Sequence, residues 1–437
     1  MPALYIDNFR GFSSTFLELR SVNFFVGENS TGKTSILKIL GAISSPGFWH
    51  YQQFDNSYVN FGTFSEMISL PRTNKEYFEL GLLGDEKDGY VSAVRLKFIE
   101  KDNFPQLKEI CFVDTSVNLQ VYIECKSILK YRYRTHMGGG ITENAFGYFQ
   151  SWIKDVGLDD LPFKKEETYF IGIISILFHF QSLIGKEIMY NYPGAKGEDL
   201  KLLVPFYFKN IAWFSPMRSE PKKTYDEYLS SFTSDGRHIP YILNDILKND
   251  TENSAKRILN RFGFDSGLYD DLSTRQVGSD NLGNAPFEIL IKKGETIVNL
   301  INMGFGVSQV LPLIIEAIAR PTDMWFSIQQ PEIHLHPKAQ SAFGEFIYKT
   351  HELDGHKFII ETHSDYLIDR FRLRINRAYR DNKSAIHPIC QVFFFSKSER
   401  GNNVVPIDVL KDGAYSDEQP EAFRIFFIKE QIDLLSI

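Results

Sequence analysis

The sequence predicts an α/β fold in which helices flank a parallel or mixed sheet, with an antiparallel β-subdomain at the N-terminal end. Three observations lead to this prediction. Strand and helix patterns alternate after Pro286, as is typical of parallel sheets. Short strand patterns separated by Gly and Asn occupy residues 1–100. A glycine-rich loop separates the last of these strands from a helix pattern.

The N-terminal strands and the helix after them form the first part of the α/β domain, residues 1–100. The helix pattern after Gly32 has apolar residues at three- and four-residue spacing, including Ile36 and Leu40. The strands, identified by apolar or alternating residues, are Ala3–Phe9, Phe16–Leu19 and Val22–Val26.

Residues 101–280 carry longer apolar runs with helix-like charge mixing. No heptad repeat persists over several turns, so we predict a compact, mainly helical insertion and not a coiled-coil arm. The run Tyr169–Ile184 contains His179 and Gln181 and is shorter than the ~20 apolar residues of a membrane span. A buried helix is expected there, and no membrane partner.

Strand patterns return in residues 281–437, the second part of the α/β domain. A hairpin is predicted around Lys293–Glu295. The predicted elements, in order, are strands Phe287–Ile291 and Thr296–Leu300, helix Val307–Ala319, strand Met324–Ile328, helix Pro337–Leu353, strand Phe358–Ile360 and a helix from Asp365.

The composition is that of a globular protein with large cores. Hydrophobic residues make up 43% of the 437 residues, and 38 are Phe. The net charge of −7 gives no whole-chain support for nucleic-acid binding. Three widely spaced cysteines form neither a disulfide framework nor a zinc site, so we expect a cytoplasmic location.

The glycine-rich loop, Gly27–Ser35, fits the pattern G-x-x-x-x-G-K-[ST]. Its glycines let backbone N–H groups face an anion, and the following helix adds the positive end of its dipole. Lys33 brings a charge to the outer phosphates and the Thr34 hydroxyl suits Mg²⁺. We therefore expect ATP and Mg²⁺ as cofactors. The predicted phosphate-binding residues are Asn29, Ser30, Thr31, Gly32, Lys33, Thr34 and Ser35.

A phosphate site of this kind also needs an acid at the end of a neighbouring strand, to hold Mg²⁺, and a base for the attacking water. The candidate strand, Trp325–Ile328, ends in Gln329 and Gln330. The histidines that follow, His334 and His336, do not share a helix face at this spacing, so a metal pair is not expected there.

Two further turns have suitable chemistry for a phosphate. In Asn302–Gln309 a glycine turn opens an apolar helix, whose N-terminus favours an anion. In Ile359–Asp365, His363 follows a buried strand, and the carboxyl ends of parallel strands border the crevice where ligands bind.

Together these features resemble an ABC-type ATPase head of the Rad50/SMC and OLD-like kind, in the AAA15 and AAA21 groups. Pro331–Pro337 is similar to the end of the Walker B segment in these ATPases. The Gly306 turn resembles their signature motif, and His363 resembles their H-loop histidine. Ile6–Phe12 and Pro216–Pro221 are similar to two shorter elements of the same group.

The resemblance implies a role for each matching position. In the family the signature turn contacts the γ-phosphate held by the opposite subunit. By this resemblance Gly306 and Ser308 contact nucleotide, Thr34 and Gln329 contact Mg²⁺, and Gln330, Glu332 and His363 are catalytic.

The sequence departs from the family where Gln329 and Gln330 replace the usual acids. An amide carries no negative charge for Mg²⁺ and cannot accept a proton as a base. Two interpretations stay open: the chain binds ATP and hydrolyses it slowly or not at all, or Glu332 or Glu361 substitutes as the acid.

Among these ATPases, the Septu type is most similar in size and in the segment Gln330–Pro337. It implies a subunit of a bacterial antiphage defence complex, a homodimer around nucleotide or a higher oligomer, and a separate HNH nuclease partner. The alternative is a Rad50/SMC-like DNA-repair or regulatory ATPase. DNA is a further candidate partner, because Lys130–Arg134 alternates basic and aromatic residues, although an ordinary half-exposed strand has the same pattern.

Overall fold

A computed structural model describes residues 2–55, 59–69, 76–84, 91–135, 144–191, 211–227, 229, 231–249, 254–278, 285–381, 390–399 and 401–427. The chain forms two compact units. The first comprises Met1–Arg20, Asn29–Lys209 and Ser396–Val404, and the second comprises Ser21–Glu28, Asn210–Phe395 and Val405–Ile437.

The strands are β1 (Ala3–Asp7), β2 (Thr15–Glu18), β3 (Val22–Gly27), β4 (Tyr77–Leu83), β5 (Ala93–Lys101), β6 (Phe104–Val113), β7 (Val117–Cys125), β8 (Ile128–Thr135), β9 (Lys164–Glu167), β10 (Ile211–Phe214), β11 (Asp271–Gln276), β12 (Phe287–Lys293), β13 (Thr296–Asn299), β14 (Trp325–Gln329), β15 (Lys357–Glu361), β16 (Cys390–Ser398) and β17 (Gly401–Val409). The helices are α1 (Lys33–Ile43), α2 (Pro46–Tyr51), α3 (Phe64–Met67), α4 (Ala145–Lys154), α5 (Gly172–Asn191), α6 (Ile239–Asn249), α7 (Ser254–Ser266), α8 (Phe305–Ala319), α9 (Pro337–Asp354), α10 (Asp365–Arg380) and α11 (Glu421–Phe426).

An antiparallel sheet dominates the first unit, in the order β2-β1-β4-β5-β6-β7-β8-β9. Consecutive strands pair with each other from β4 to β8, and short turns join β5, β6, β7 and β8. Helix α4 covers part of one face, where Phe149, Trp152 and Ile153 form a cluster with Tyr5 and Cys111. The predicted antiparallel β-subdomain is confirmed.

The first part of the segment 101–280 needs a correction, because four strands occupy it instead of helices. Strands β6 to β9 extend the antiparallel sheet. Strand β6 is buried continuously from Ile110 to Val113, so it lacks the strict alternation that marks a half-buried strand. The expected helices form after β8, as α4 to α7, and α5 contains most of the run Tyr169–Ile184. Among the residues that the structure describes, no helix is long and apolar enough to cross a membrane.

A six-stranded sheet forms the centre of the second unit, in the order β10-β14-β15-β3-β16-β17. The pairs β10–β14, β14–β15, β15–β3 and β3–β16 are parallel. One face of the sheet packs on α8, α9 and α10; the ring of Phe24, for example, lies 5.5 Å from that of Phe371. The predicted α/β class with flanking helices is therefore confirmed.

The predicted elements between Phe287 and the helix from Asp365 are all present, with ends within a few residues of the predicted ones. Strands β12 and β13 pair as the expected hairpin, and β11 joins them in a three-stranded antiparallel sheet. These segments are predictable from the sequence because the spacing of their apolar residues matches a strand or a helix over their whole length.

Candidate nucleotide site

Strand β3 ends at Gly27, the first residue of the P-loop, in a conformation that requires glycine. Its φ is +141°, a region that residues with a side chain rarely adopt. A Cβ atom added at Gly27 would also collide with the carbonyl oxygen of Phe395 on β16. The first glycine of the motif therefore lets β3 and β16 stay paired up to the start of the loop.

The end of the P-loop needs glycine for a second reason. Gly32 has φ +91° and precedes the first residue of α1, Lys33. An added Cβ there would collide with the ring of Phe12 and lie 2.7 Å from Nδ2 of Asn402. Helix α1 has no side-chain cap at Gly32 and no acidic residue in its first turn, so the positive end of its dipole faces the loop. The backbone here has the form that a phosphate-binding loop requires.

The carboxyl ends of three parallel strands lie side by side in the second unit. Gln329, the last residue of β14, is the register partner of Glu361, the last residue of β15. Glu361 is in turn the register partner of Phe25 on β3. An amide and a carboxylate thus occupy adjacent positions on neighbouring strands.

Glu332 does not extend into an open space; its side chain holds the segment that follows β15. Its Oε1 accepts a hydrogen bond from the backbone N–H of His363 at 2.7 Å, and its Oε2 accepts one from the Thr362 hydroxyl at 2.8 Å. Both carboxylate oxygens therefore already have a donor. The predicted catalytic residues Glu332 and His363 are brought together, but through the backbone of His363.

Burial and the charge of Arg218 set the electrostatics around Glu332. Burial raises the pKa of Glu332 above its ordinary value, while its hydrogen bonds and the nearby guanidinium of Arg218 oppose that rise. Arg218 is only 4% exposed, and burial lowers its pKa to about 10 although the charge of Glu332 acts in the other direction. Each of the two groups therefore favours the charged form of the other.

Arg218 links the end of β14 to helix α8. The sequence alone does not predict this structural function. Its Nη2 donates to the carbonyl oxygen of Gln329 at 3.0 Å. Its backbone N–H donates to Oε1 of Gln309, and the amide of Gln309 donates back to the carbonyl of Arg218. In the sequence, the signal for this arginine is the resemblance of Pro216–Pro221 to an element of ABC-type ATPases.

The turn that opens α8 packs against the segment after β14. Gly306 lies close to the backbone of His334, because a Cβ added at Gly306 would stand 2.7 Å from the His334 carbonyl oxygen. The ring of Phe305 lies 5.6 Å from the ring of His334. Gly304 and Phe305 are exposed, and no acidic residue stands in the first turn of the helix. Ser308 is buried and its hydroxyl donates to the carbonyl of Phe305 at 2.9 Å.

Gln330 begins the turn after β14 and has φ +43°. Its backbone N–H donates to the carbonyl oxygen of Glu361 at 2.8 Å, so the turn continues the pairing of β14 with β15 for one more residue. The side chain is half-buried. Gln330 therefore lies directly after the end of β14.

The oxygen donors proposed for Mg²⁺ have suitable chemistry. The Thr34 hydroxyl and the Gln329 amide oxygen are hard ligands of the kind that Mg²⁺ accepts, and Glu361 offers a carboxylate at the same strand edge as Gln329. In the described part of the chain, no group of three or more His, Cys, Asp or Glu side chains is arranged to hold a metal ion.

The basic and aromatic strand Lys130–Arg134 is neutralised by the protein's own acids. Arg134 pairs with Asp160 at 2.6 Å, Arg132 pairs with Asp159, and Lys130 pairs with Glu124 at 2.7 Å. The residues lie on β8, which is an ordinary half-exposed strand. The strand therefore gives no support to DNA as a partner.

Two family models match separate parts of the chain. The one described as "AAA ATPase domain" matches residues 1–146, and the one described as "AAA domain, putative AbiEii toxin, Type IV TA system" matches residues 213–369. The two matches support an ABC-type ATPase. No curated protein sequence matches this chain significantly.

The chain is similar at low identity to several solved structures. The SMC head bound to the C-winged helix domain of ScpA is 13% identical, with a TM-score of 0.45, over 94% of this chain and 98% of that one. The SMC head domain from Thermotoga maritima is 12% identical, with a TM-score of 0.40, over 93% and 98%. The recombination mediator protein RecF-ATPrS of the RecFOR pathway is 13% identical, with a TM-score of 0.33, over 92% and 97%.

Proposed function

We propose that this protein binds ATP with Mg²⁺ through residues 29–35 and hydrolyses it slowly, as the nucleotide-gated subunit of a larger complex. The observation that carries the proposal is the P-loop itself. Gly27 and Gly32 occupy conformations that only glycine adopts readily, and α1 begins at Lys33 with an uncapped positive end. Lys33 and Thr34 then supply the charge and the hydroxyl that phosphate and Mg²⁺ require.

Slow hydrolysis follows from the amides at the end of β14. Gln330 can orient a water but cannot accept its proton. Glu332, the other predicted catalytic residue in this segment, already accepts hydrogen bonds on both oxygens from residues 362–363. A positioned general base contributes about 10²–10⁴ to the rate of hydrolysis. Without one, bound ATP is expected to persist for a long time before it is hydrolysed.

A slow ATPase serves best as a switch. The start of α8, with the exposed Phe305 and the half-buried Gly306, is proposed to face nucleotide held by a second copy, in a homodimer or an assembly built from it. His363 is proposed to sense the γ-phosphate. The occupied state would then control a separate nuclease subunit of the HNH type in antiphage defence. The motif resemblance supports this role, and the matched model whose description names a putative toxin is compatible with it.

Calorimetric titration with ATP and Mg²⁺, followed by phosphate release, tests the proposal. Lys33→Ala should weaken ATP binding at least about tenfold, which is about 1.4 kcal/mol. Lys38→Ala is the matched control, because Lys38 lies in the same helix outside the motif and should leave the affinity unchanged. Absence of ATP binding by the unaltered protein would disprove the proposal.

Hydrolysis has its own test. Gln330→Glu should raise phosphate release by about 100-fold or more, because it restores a base at the strand end. Fast release of phosphate by the unaltered protein would show that another residue acts as the base.

The nuclease partner needs a separate test. The unaltered protein and Lys33→Ala are compared as baits for capture of an HNH nuclease, and for protection of cells in phage-plating assays. Equal capture of the nuclease and equal protection against phage by the two proteins would show that nucleotide does not control the partner.

A further inference from the structure

We propose that the second unit contains a binding site for an uncharged aromatic small molecule, between helix α8 and the residues from 219 to 243. The site is a cavity of about 500 Å³, which lies within the range of roughly 300–1,000 Å³ that is usual for small-molecule sites. Helices α6 and α8, strand β12 and the residues after β10 supply its lining, and all of these belong to the second unit.

The walls of the cavity are apolar and buried. Leu311 and Ile315 of α8, Leu243 of α6 and Ile289 of β12 are each at most 2% exposed. Side chains packed this closely have little freedom to move, so they give the cavity a fixed shape. Apolar walls favour a ligand whose surface is mainly apolar, because binding removes that surface from water.

Two tyrosines add an aromatic wall. The ring of Tyr225 stacks on that of Phe287 at 5.5 Å, and the ring of Tyr241 stands edge-on to both, at 6.2 and 5.7 Å. Tyr225 and Tyr241 line the cavity, where a flat ring can pack against them. The Tyr225 hydroxyl accepts the backbone N–H of Lys222 at 3.1 Å, and a phenol that accepts one hydrogen bond can still donate its own proton.

The charged residues of the lining stand at the exposed rim and balance one another. In the described part of the chain they are Glu220, Lys222, Glu227 and Arg237, all of them exposed. Lys222 lies 3.9 Å from Glu227, and Arg237 pairs at 2.8 Å with Asp235. A charged ligand would lose its hydration between the apolar walls without meeting an opposite charge there, so the cavity selects an uncharged one.

Buried polar contacts attach the residues between β10 and α6 to helix α8 at two places. Near β10, the backbone N–H of Arg218 donates to the side chain of Gln309 at 3.0 Å. Near α6, Nε2 of His238 lies 3.0 Å from Oε2 of Glu316, and both side chains are fully buried. Nδ1 of His238 accepts the backbone N–H of Thr233 at 3.1 Å, so Nε2 carries the proton that is donated to Glu316. The two contacts hold the walls of the cavity in place.

The test is the binding of N-phenyl-1-naphthylamine, an uncharged fluorescent probe, to the full chain, followed by its emission. The matched probe is 8-anilinonaphthalene-1-sulfonate, which has the same ring systems and one negative charge. We expect saturable binding of the uncharged probe at one site per chain, and at least about tenfold weaker binding of the sulfonate. Absence of saturable binding, or equal affinity for the two probes, would overturn the inference.

Ile315→Phe tests whether the uncharged probe occupies this cavity. The larger side chain fills part of the space, so the affinity for the probe should fall at least about tenfold. Ile301→Phe is the matched control, because Ile301 is exposed and lies outside the lining, and it should leave the affinity unchanged. Unchanged affinity in a folded Ile315→Phe protein would place the probe elsewhere and overturn the inference.

Hydrogen exchange on the unaltered protein keeps the test decisive if Ile315→Phe does not fold. A saturating concentration of the uncharged probe should slow exchange in residues 219–227 and 238–243, which contain lining residues, and leave β5 and β6 of the first unit unchanged. Slower exchange only outside the lining segments would overturn the inference. Nucleotide is absent from these measurements, so their outcome leaves the proposed function to its own test.

Discussion

The carboxylate of Glu332 accepts the backbone N–H of His363, at 2.7 Å, across 31 positions of the sequence. The same carboxylate accepts the hydroxyl of Thr362 at 2.8 Å. A glutamate that follows the end of β14 thus fixes the first residues after β15. Whatever His363 contacts in the nucleotide-bound state, its backbone is set by Glu332, so the two residues act as one unit.

Glu332→Ala should lower the free energy of unfolding by about 2 kcal/mol, because the buried Thr362 hydroxyl and the half-buried N–H of His363 lose their acceptor. The amide of His363 should exchange faster with solvent, which hydrogen exchange resolves at that residue. Glu332→Gln is the matched control: its amide keeps one acceptor oxygen, so it should lose roughly half as much.

The two variants separate hydrogen bonding from charge. If the effect came from the charge facing Arg218, Gln and Ala would destabilise equally. Unchanged exchange at His363 in Glu332→Ala would contradict the contact itself.

The part of this site that the sequence predicts well is the part built from contiguous residues. Gly27–Ser35 was recognised because strand, loop and helix follow one another in the chain. The pairing of Glu332 with residues 362–363, and of Gln309 with Arg218, joins segments far apart in sequence. Residue type and spacing do not predict such contacts, because the contacts depend on which strands become neighbours in the fold.

A similar limit applies to the outer sheet of the first unit. Strands β12, β14 and β15 were predicted because they are short, apolar and bounded by turns. Strands β6 and β7 carry longer runs in which buried and half-buried residues follow one another without a strict period of two. Burial there is decided by α4 and by neighbouring strands, so periodicity alone could not distinguish them from helices.

Gln309→Leu should uncouple Arg218 from α8. The backbone N–H of Arg218 is buried and donates to the Gln309 side chain at 3.0 Å, so its loss leaves an unsatisfied donor at a cost of about 1–3 kcal/mol. We expect a lower thermal midpoint and faster exchange of the Arg218 amide. Gln309→Glu keeps the acceptor for that N–H and loses only the weaker return bond of 3.4 Å, so the Arg218 amide should stay protected. Equal exchange in both variants would refute the link.

Gly27→Ala should destabilise the protein by about 3 kcal/mol, because the new Cβ adds both backbone strain and a collision with the Phe395 carbonyl. The matched control is Gly294→Ala in the β12–β13 turn. Gly294 also has a positive φ, +59°, but an added Cβ there meets nothing within 4 Å, so only about 1 kcal/mol of strain is expected. Thermal or urea unfolding of both variants measures the difference. A cost for Gly27→Ala no larger than that for Gly294→Ala would mean that the strand end is not closely packed.

Asp114→Asn should stabilise the protein at neutral pH and not at acidic pH. Asp114 lies in the turn between β6 and β7, is 5% exposed, and accepts the N–H groups of Ser116 and Val117 at 2.7 and 2.8 Å. Burial raises its pKa from 3.8 to about 6, although these two donors favour the charged form. Because the folded pKa is the higher one, the aspartate's contribution to stability is complete below pH 3.8 and is lost as the pH rises through about 6.

The asparagine side chain of this variant can accept the same two N–H groups without ionising. The difference in unfolding free energy between the variant and the unaltered protein should therefore grow from near zero at about pH 4 to about 3 kcal/mol above pH 7. Urea unfolding of both proteins at several pH values measures this difference directly. A difference that stayed constant with pH would show that Asp114 is ionised at no cost in the folded protein. One that shrank as the pH rose would show that the hydrogen bonds to Ser116 and Val117 outweigh burial.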